Sequence, residues 1–169
     1  MPIFARPPKQ FELPPQGTLP ANCVDITDIY EPDRFNEGKM RDAVELTFET
    51  EETNTRGTQF WISKTVTNSL HEKSKAREIV EAWLNRPLTP EEINHNGFDF
   101  ESLIGRSCLL TVTHAASEKG TYAKIASVTA MPRGMAPVKS SGTYVRKCDR
   151  DGYEPPKRPF AADASDVSF

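Results

Sequence analysis

Alternating apolar and polar residues indicate five β-strands in this chain. The clearest alternation spans residues 43–50, where Val44, Leu46 and Phe48 fall on one face and the residues between them are polar. Because successive side chains of a strand point to opposite faces, a period of two residues predicts a strand with one buried face. The predicted strands are residues 21–30, 43–50, 59–67, 107–114 and 121–130.

The period changes between the third and the fourth predicted strand. Apolar residues recur three or four positions apart over residues 72–85, which predicts an amphipathic helix with Trp83 on its buried side. Ser69 is the predicted N-cap, since Glu72 follows three residues later as a capping box requires. A second capping-box pattern at residues 89–92 predicts another short helical turn.

The order of these elements is three strands, a helix and two strands. Short polar loops join the consecutive strands, which favours an antiparallel sheet. A mainly β fold with a helical insertion between strands three and four predicts a five-stranded OB-fold barrel, with the helix closing one end. The alternative is another small antiparallel sheet with a helix on one face.

Prolines are concentrated at both ends of the 169-residue chain. Six of the 14 lie in the first twenty residues and five lie after residue 128. Because proline lacks the backbone N–H that a strand ladder needs, both ends are expected to be extended. The predicted organisation is an extended proline-rich leader at 1–20, an OB-fold domain at 21–132, a basic proline-containing linker at 133–160 and an acidic Phe-terminated tail at 161–169.

The net charge of −3 hides an uneven distribution of charged residues. Residues 1–55 carry 5 Lys and Arg against 11 Asp and Glu, whereas residues 56–160 carry 16 against 11. Residues 161–169 carry two aspartates and no basic residue. A basic middle between acidic ends is typical of a protein that binds a polyanion or imitates one.

Several classes of protein are disfavoured. No stretch approaches the roughly 20 apolar residues of a membrane span, and the first residues lack an apolar signal core. Three cysteines without a CxxC pair favour a reducing cytoplasm, and the three histidines show no zinc-site spacing. No Gly-rich phosphate loop, HExxH or GxSxG motif is present, so an enzyme is disfavoured and neither a metal nor a cofactor is expected.

Four stretches between about residues 11 and 132 carry a recognisable pattern: FELPPQGTLPANCVDITDI, ISKTVTNSLHEKSKAREIVEAWLNRPLTPEE, FDFESLIGRSCLLTVTH and GTYAKIASVTAMPRGM. Together they resemble a family of phage-encoded replication and recombination proteins that bind single-stranded DNA. These are scaffold patterns without a catalytic signature. The resemblance implies an OB fold, a phage or prophage origin and action in the cytoplasm of a bacterial host.

Single-strand binders combine a basic groove with aromatic platforms, because every nucleotide has a phosphate and every base has a face for stacking. Trp61 is expected to face outward, opposite Phe60 and Ile62, and Tyr122 shares a strand face with Lys124. The candidate nucleic-acid-binding residues are Arg56, Trp61, Lys64, Arg106, Lys119, Tyr122 and Lys124.

Simpler roles stay open for several of these residues. Trp61 could instead cover a second apolar patch or a subunit interface, which leaves a homo-oligomer possible. Lys64 falls on the face opposite Trp61 unless the strand twists or bulges, and it could simply keep the strand soluble. The carboxylates Asp25 and Glu49 are expected to be solvated.

The last nine residues, AADASDVSF, resemble the C-terminal peptide of bacterial single-stranded DNA-binding proteins, which is acidic and ends in Phe. The apolar side chains could enter a pocket on a partner, and the aspartates could meet its Arg or Lys side chains. This tail has only two aspartates, and Ser168 stands where proline is usual. The alternative is an end without a role. The candidate partner-binding residues are Asp163, Asp166, Val167 and Phe169.

The favoured hypothesis is a sequence-independent single-stranded DNA-binding protein of a phage. It would protect replication and recombination intermediates and recruit host or phage replication and recombination proteins through its tail. The alternative is an OB-type protein-interaction module that inhibits or triggers a host defence protein and does not bind DNA. Its motivation is the acidic group Glu45, Glu49, Glu51 and Glu52. A nuclease or another enzyme is the third hypothesis.

Overall fold

The computed structural model describes residues 2–5 and 12–159 and shows a mainly β protein. Each predicted strand is present. An α-helix, α1 (Lys75–Leu84), lies between the third and the fourth strand, as predicted. The strands are β1 (Gly17–Pro32), β2 (Met40–Thr53), β3 (Gln59–Thr67), β4 (Ser107–Ser117) and β5 (Gly120–Thr129).

The five strands form one antiparallel sheet in the order β3-β2-β1-β4-β5. The central strand, β1, pairs with β4 through residues 17–22 and with β2 through residues 21–32. Its register with β2 shifts between Cys23 and Asp25, so Val24 is an additional residue and forms a bulge. A bulge bends and twists its strand, which lets β1 turn from one neighbour to the other.

The predicted inner face of the sheet is confirmed. On β2, Val44, Leu46 and Phe48 are at most 4% exposed. On β3, Ile62 is buried on this face, while Trp61 lies on the opposite face with 44% of its surface exposed. The alternation of the sequence therefore assigns these faces correctly.

The helix begins later than predicted. Ser74, not Ser69, is the N-cap of α1: its hydroxyl accepts a hydrogen bond from the backbone N–H of Arg77 at 3.2 Å. Ser69 instead starts the preceding turn, because its hydroxyl accepts from the N–H of His71 and its carbonyl from the hydroxyl of Ser74. Two hydroxyls of similar capping preference lie five residues apart, and the turn between them decides which one caps the helix.

The second predicted capping box is confirmed. The N–H of Glu92 donates to the hydroxyl of Thr89 at 3.2 Å, and the N–H of Thr89 donates to the carboxylate of Glu92 at 3.0 Å. This reciprocal pair starts a short turn whose π-helical part spans Glu92–Asn96.

The core lies between α1 and the inner face of the sheet. Ala76, Ile79, Val80 and Trp83 are the buried residues of the helix. The Trp83 ring lies 5.5 Å from the ring of Phe48, centroid to centroid. Its indole N–H donates to the carbonyl of Ser107 at 2.9 Å, so the largest buried side chain is also satisfied as a donor.

The two edge strands, β3 and β5, approach each other. The Nζ atom of Lys64 on β3 donates a hydrogen bond to the carbonyl oxygen of Ile125 on β5 at 3.0 Å. Because neighbouring strands alternate in direction across the sheet, β3 and β5 run the same way. The sheet is therefore strongly curled, and α1 packs against both edge strands.

Replacing Trp83 with alanine should lower the free energy of unfolding by about 3–5 kcal/mol, because a buried indole is lost and a cavity is left beside Phe48. Urea unfolding followed by circular dichroism measures this loss. Replacing the exposed Glu78 of the same helix with alanine is the control, expected to stay within about 0.5 kcal/mol. A Trp83→Ala loss below about 1 kcal/mol would contradict the central place of this ring in the core.

Candidate nucleic-acid interface

The outer face of the sheet carries rows of mostly polar side chains. Asn22, Glu49 and Trp61 are aligned across β1, β2 and β3, and the next row begins with Asp25 and Thr47. Asp25 and Glu49 are only 1% and 2% exposed. The expectation that these two carboxylates are solvated is wrong, because a later segment of the chain covers them.

Residues 138–158, here called the C-terminal strap, lie across this outer face. At its start, the backbone N–H of Val138 donates to the hydroxyl of Ser107 at 2.8 Å, and its carbonyl accepts from the amide of Asn22 at 2.8 Å. Further along, Ser141 donates to the Glu49 carboxylate from its N–H at 2.5 Å and from its hydroxyl at 3.0 Å. The strap lies within the stretch that the sequence predicts to be a basic linker.

Asp25 is the main attachment point of the strap. Its carboxylate accepts hydrogen bonds from the Tyr144 hydroxyl at 2.9 Å, the Arg146 Nε at 3.1 Å and the Lys147 backbone N–H at 2.9 Å. Burial acts to raise the pKa of Asp25, but these donors outweigh it and hold the pKa below its ordinary value of 3.8. Burial, and then the bond to Asp25, raises the pKa of Tyr144 to about 12.

Ion pairs extend this attachment. Lys147 pairs with Glu45 on β2, and Arg158 pairs with Asp28 at 2.7 Å and with Asp42 at 2.6 Å. Basic residues of the second half of the chain thus neutralise part of the acidic first third. Part of the uneven charge distribution of the sequence is therefore explained by ion pairs within the molecule.

Trp61 is held in place yet keeps an open side. Its indole N–H donates to the Glu49 carboxylate at 2.8 Å, and the ring of Tyr144 meets it edge-on at a centroid distance of 5.1 Å. With 44% of its surface exposed, the ring is fixed in orientation and has no unsatisfied donor. Such a ring can stack on a flat partner without first losing rotamer freedom.

Four of the predicted residues are placed at one end of the sheet. The β2–β3 turn carries Arg56 and the β4–β5 turn carries Lys119, and both turns lie at the end where β1 begins. Trp61 and Tyr122 are the third residues of β3 and β5, which both start at this end. Tyr122 is 46% exposed. The two exposed rings therefore lie near the starts of the two edge strands, at the same end of the sheet.

The predicted lysines Lys64 and Lys124 lie near the gap between β3 and β5. Lys124 is aligned with Thr113 and faces outward like Tyr122, whereas Lys64 is aligned with Leu46 on the inner side, opposite Trp61. Burial lowers the pKa of Lys64, and the nearby charges of Lys75 and Lys124 lower it further. The fold thus gathers three positive charges where the edge strands meet.

Arg106 is placed apart from this group. It precedes β4, whereas Lys119 follows it, and the 11 residues of β4 between them correspond to about 35 Å of extended chain. Arg106 is exposed, and its carbonyl accepts from the N–H of Cys23 at 3.1 Å. The predicted tail residues Asp163, Asp166, Val167 and Phe169 lie outside the described residues.

Two further exposed or partly exposed aromatic residues, Phe35 and Tyr144, escaped prediction. Phe35 is 92% exposed in the β1–β2 loop, where the Asp33 carboxylate accepts from its N–H at 2.9 Å. The sequence did offer a sign of this exposed ring, because Phe35 stands beside Arg34 in an otherwise polar turn. The position of Tyr144 could not be predicted from the local sequence, because its partner Asp25 is 119 positions away.

Two comparisons with known proteins found no match. No protein-family model matches the chain, and no curated protein matches it. Within residues 2–5 and 12–159, no group of three or more His, Cys, Asp and Glu side chains is arranged to hold a metal ion. No helix in these ranges is long and apolar enough to cross a membrane.

Replacing Asp25 with asparagine should lower the free energy of unfolding at neutral pH by about 3 kcal/mol, because Arg146 keeps its charge and loses its buried carboxylate partner, while its other partner, Glu101, is exposed and 3.5 Å away. Since the folded-state pKa of Asp25 lies below the unfolded value, its contribution is present above pH ~4 and is lost as the pH falls through the folded pKa. Stability should therefore fall more steeply below pH ~4 in the parent protein than in the variant.

Urea unfolding at a series of pH values measures both effects. Asp28→Asn is the matched control, since Asp28 is half-exposed and also pairs with an arginine of the strap. This control should lose less than about 1 kcal/mol. Equal losses in the two variants, or parallel pH profiles for the parent and Asp25→Asn, would show that Asp25 is not the main attachment point.

Proposed function

We propose that this chain is an OB-fold barrel that binds single-stranded DNA without sequence preference. It acts stoichiometrically as a phage protein that protects replication and recombination intermediates in the bacterial cytoplasm. The observation that carries the proposal is that two half-exposed rings, Trp61 and Tyr122, lie near the starts of the two edge strands at one end of the sheet, where the adjoining turns carry Arg56 and Lys119. Aromatic platforms combined with a positively charged track are what a single strand requires.

The order of the strands supports the barrel. An antiparallel sheet ordered β3-β2-β1-β4-β5 becomes a closed barrel when its two edge strands meet. A hydrogen bond from Lys64 on β3 to Ile125 on β5 already joins these two edges. The helix between β3 and β4 lies where an OB barrel has its closing helix.

The position of the strap limits the path that bound DNA can take over the sheet. OB folds commonly bind oligonucleotides on the face of strands two and three. Here the strap covers part of the outer face of β1 and β2 and leaves one side of Trp61 on β3 open. We therefore expect the DNA to follow β3 and β5, with bases on Trp61 and Tyr122 and phosphates near Lys64, Lys119 and Lys124.

The protein-interaction alternative has lost part of its motivation. Glu45 pairs with Lys147, and Glu49 accepts hydrogen bonds from Ser141 and Trp61, so these carboxylates are not a free acidic surface. Glu51 and Glu52 are exposed. We therefore rank DNA binding first and keep the interaction module as the outcome expected if DNA does not bind.

Oligo(dT) should quench the fluorescence of this protein, and the affinity should fall steeply with salt. Of the two tryptophans, Trp83 is buried, so a change on binding reports mainly Trp61. Trp61→Ala should weaken binding of a labelled oligo(dT), measured by anisotropy, by about 1–3 kcal/mol, or 5- to 150-fold. Tyr122→Ala should weaken it to a similar degree.

Tyr153→Ala, which removes an aromatic ring from the strap, is the control and should leave the affinity unchanged. Absence of binding by the parent protein at low salt would falsify the proposal and favour the interaction module. Binding that Trp61→Ala and Tyr122→Ala leave intact would place the DNA elsewhere on the surface. Solution mass with and without oligo(dT) tests for a homo-oligomer.

In this proposal the tail at 161–169 recruits replication or recombination proteins and does not contribute to DNA binding. Deleting residues 163–169 should leave the affinity for oligo(dT) unchanged or raise it, because two aspartates that compete with phosphate for basic side chains are removed. The same anisotropy titration measures this. A marked loss of affinity in the shortened protein would contradict the assignment of the tail to partners.

A further inference from the structure

A cleft between the end of β3 and the start of α1 has the properties of an anion site. Its volume is about 440 Å³, and the basic residues Arg41, Lys64, His71, Lys73 and Lys75 lie in its wall. Hydroxyl-bearing residues supply most of the remaining lining, and none of the described residues that line it is acidic. A concave surface with many cationic donors and no carboxylate in its wall complements a phosphate.

Several of these donors are available to a ligand. Lys64 uses one of its three N–H groups on the carbonyl of Ile125. The ammonium of Lys73 has no salt-bridge partner among the described residues. Lys75 pairs only with the exposed Glu78, three residues on, and such surface pairs are weak. Arg41, in contrast, is fixed at the wall by Glu31 and Thr67.

The cleft also continues the row of basic residues at the edge strands. Lys64 belongs both to the wall of the cleft and to the group that it forms with Lys75 and Lys124. Lys124 is two residues from Tyr122 on the same face of β5. An anion in the cleft would reduce the repulsion among these like charges, which burial of Lys64 makes stronger.

We propose that this cleft binds a phosphate group, and that the group belongs to the backbone of single-stranded DNA running from Tyr122 past Lys124 toward α1. The second part rests on the proposed function, whereas the phosphate site by itself does not.

The double variant Lys73→Gln/Lys75→Gln tests the site in the full chain. If both side chains contact DNA phosphates, the slope of log affinity for oligo(dT) against log salt should become shallower by about 1.4, or 0.7 for each contact. Lys139→Gln/Lys157→Gln is the matched control: it removes the same charge from two exposed lysines of the strap and should leave the slope unchanged. Circular dichroism verifies that both variants fold.

Inorganic phosphate is the probe of the second arm. In the ¹⁵N-labelled parent protein it should shift the amide resonances of residues 69–76, and in Lys73→Gln/Lys75→Gln these shifts should be lost. Amide shifts without any change of the oligo(dT) slope would support a site for a free phosphate or nucleotide and overturn the DNA path. An unchanged slope together with no amide shifts would overturn the site altogether.

The two proposals can fail separately. If the parent protein does not bind oligo(dT) but phosphate shifts the cleft amides, the proposed function is wrong and the phosphate site stands. If the protein binds oligo(dT), but Lys73→Gln/Lys75→Gln leaves the salt slope unchanged and phosphate shifts no cleft amide of the parent, the function stands and the site is wrong.

Discussion

A single buried carboxylate organises the outer face of this protein. Asp25 lies directly after the bulge of the central strand and accepts hydrogen bonds from Tyr144, Arg146 and Lys147. A carboxylate that is 1% exposed is stable only when its oxygens are paired, so the strap and the sheet depend on each other. Glu49 repeats this arrangement one row further on, with Ser141 and Trp61 as its donors.

The strap also affects the proposed binding surface, because it helps to hold Trp61 in place. The carboxylate of Glu49 holds the indole N–H, and the ring of Tyr144, which Asp25 positions, meets the indole edge-on. The strap thus fixes the ring while leaving one side of it open. It also covers part of β1 and β2, whereas Trp61 on β3 and Tyr122 on β5 stay exposed.

Charge links the two proposals. Basic residues of the strap are paired with the acids of β1 and β2, whereas the described residues in the wall of the cleft beside α1 include five basic residues and no acidic one. A net charge of −3 therefore coexists with a local excess of positive charge. Such an excess in a cleft attracts polyanions more effectively than the net charge indicates.

The sequence by itself determined the strands, the inner faces of β2 and β3 and the helix, because these follow from side-chain periods of two and of 3.6 residues. It also identified Trp61 as an outward-facing ring, since Phe60 and Ile62 face inward, and it placed Tyr122 on the same strand face as Lys124. The N-cap of α1 could not be predicted from the local pattern alone. Ser69 and Ser74 are both good capping residues, and the fold of the turn between them selected Ser74.

Only the tertiary structure decided that Asp25 and Glu49 are buried, that the strap covers them, and that Lys64, Lys75 and Lys124 lie together. Each of these facts depends on contacts between residues far apart in the chain, such as Asp25 and Tyr144 at a separation of 119 positions. A local period reports which face of a strand a side chain occupies. It carries no information about which distant segment packs on that face, because that choice depends on the charge and shape of both segments in three dimensions.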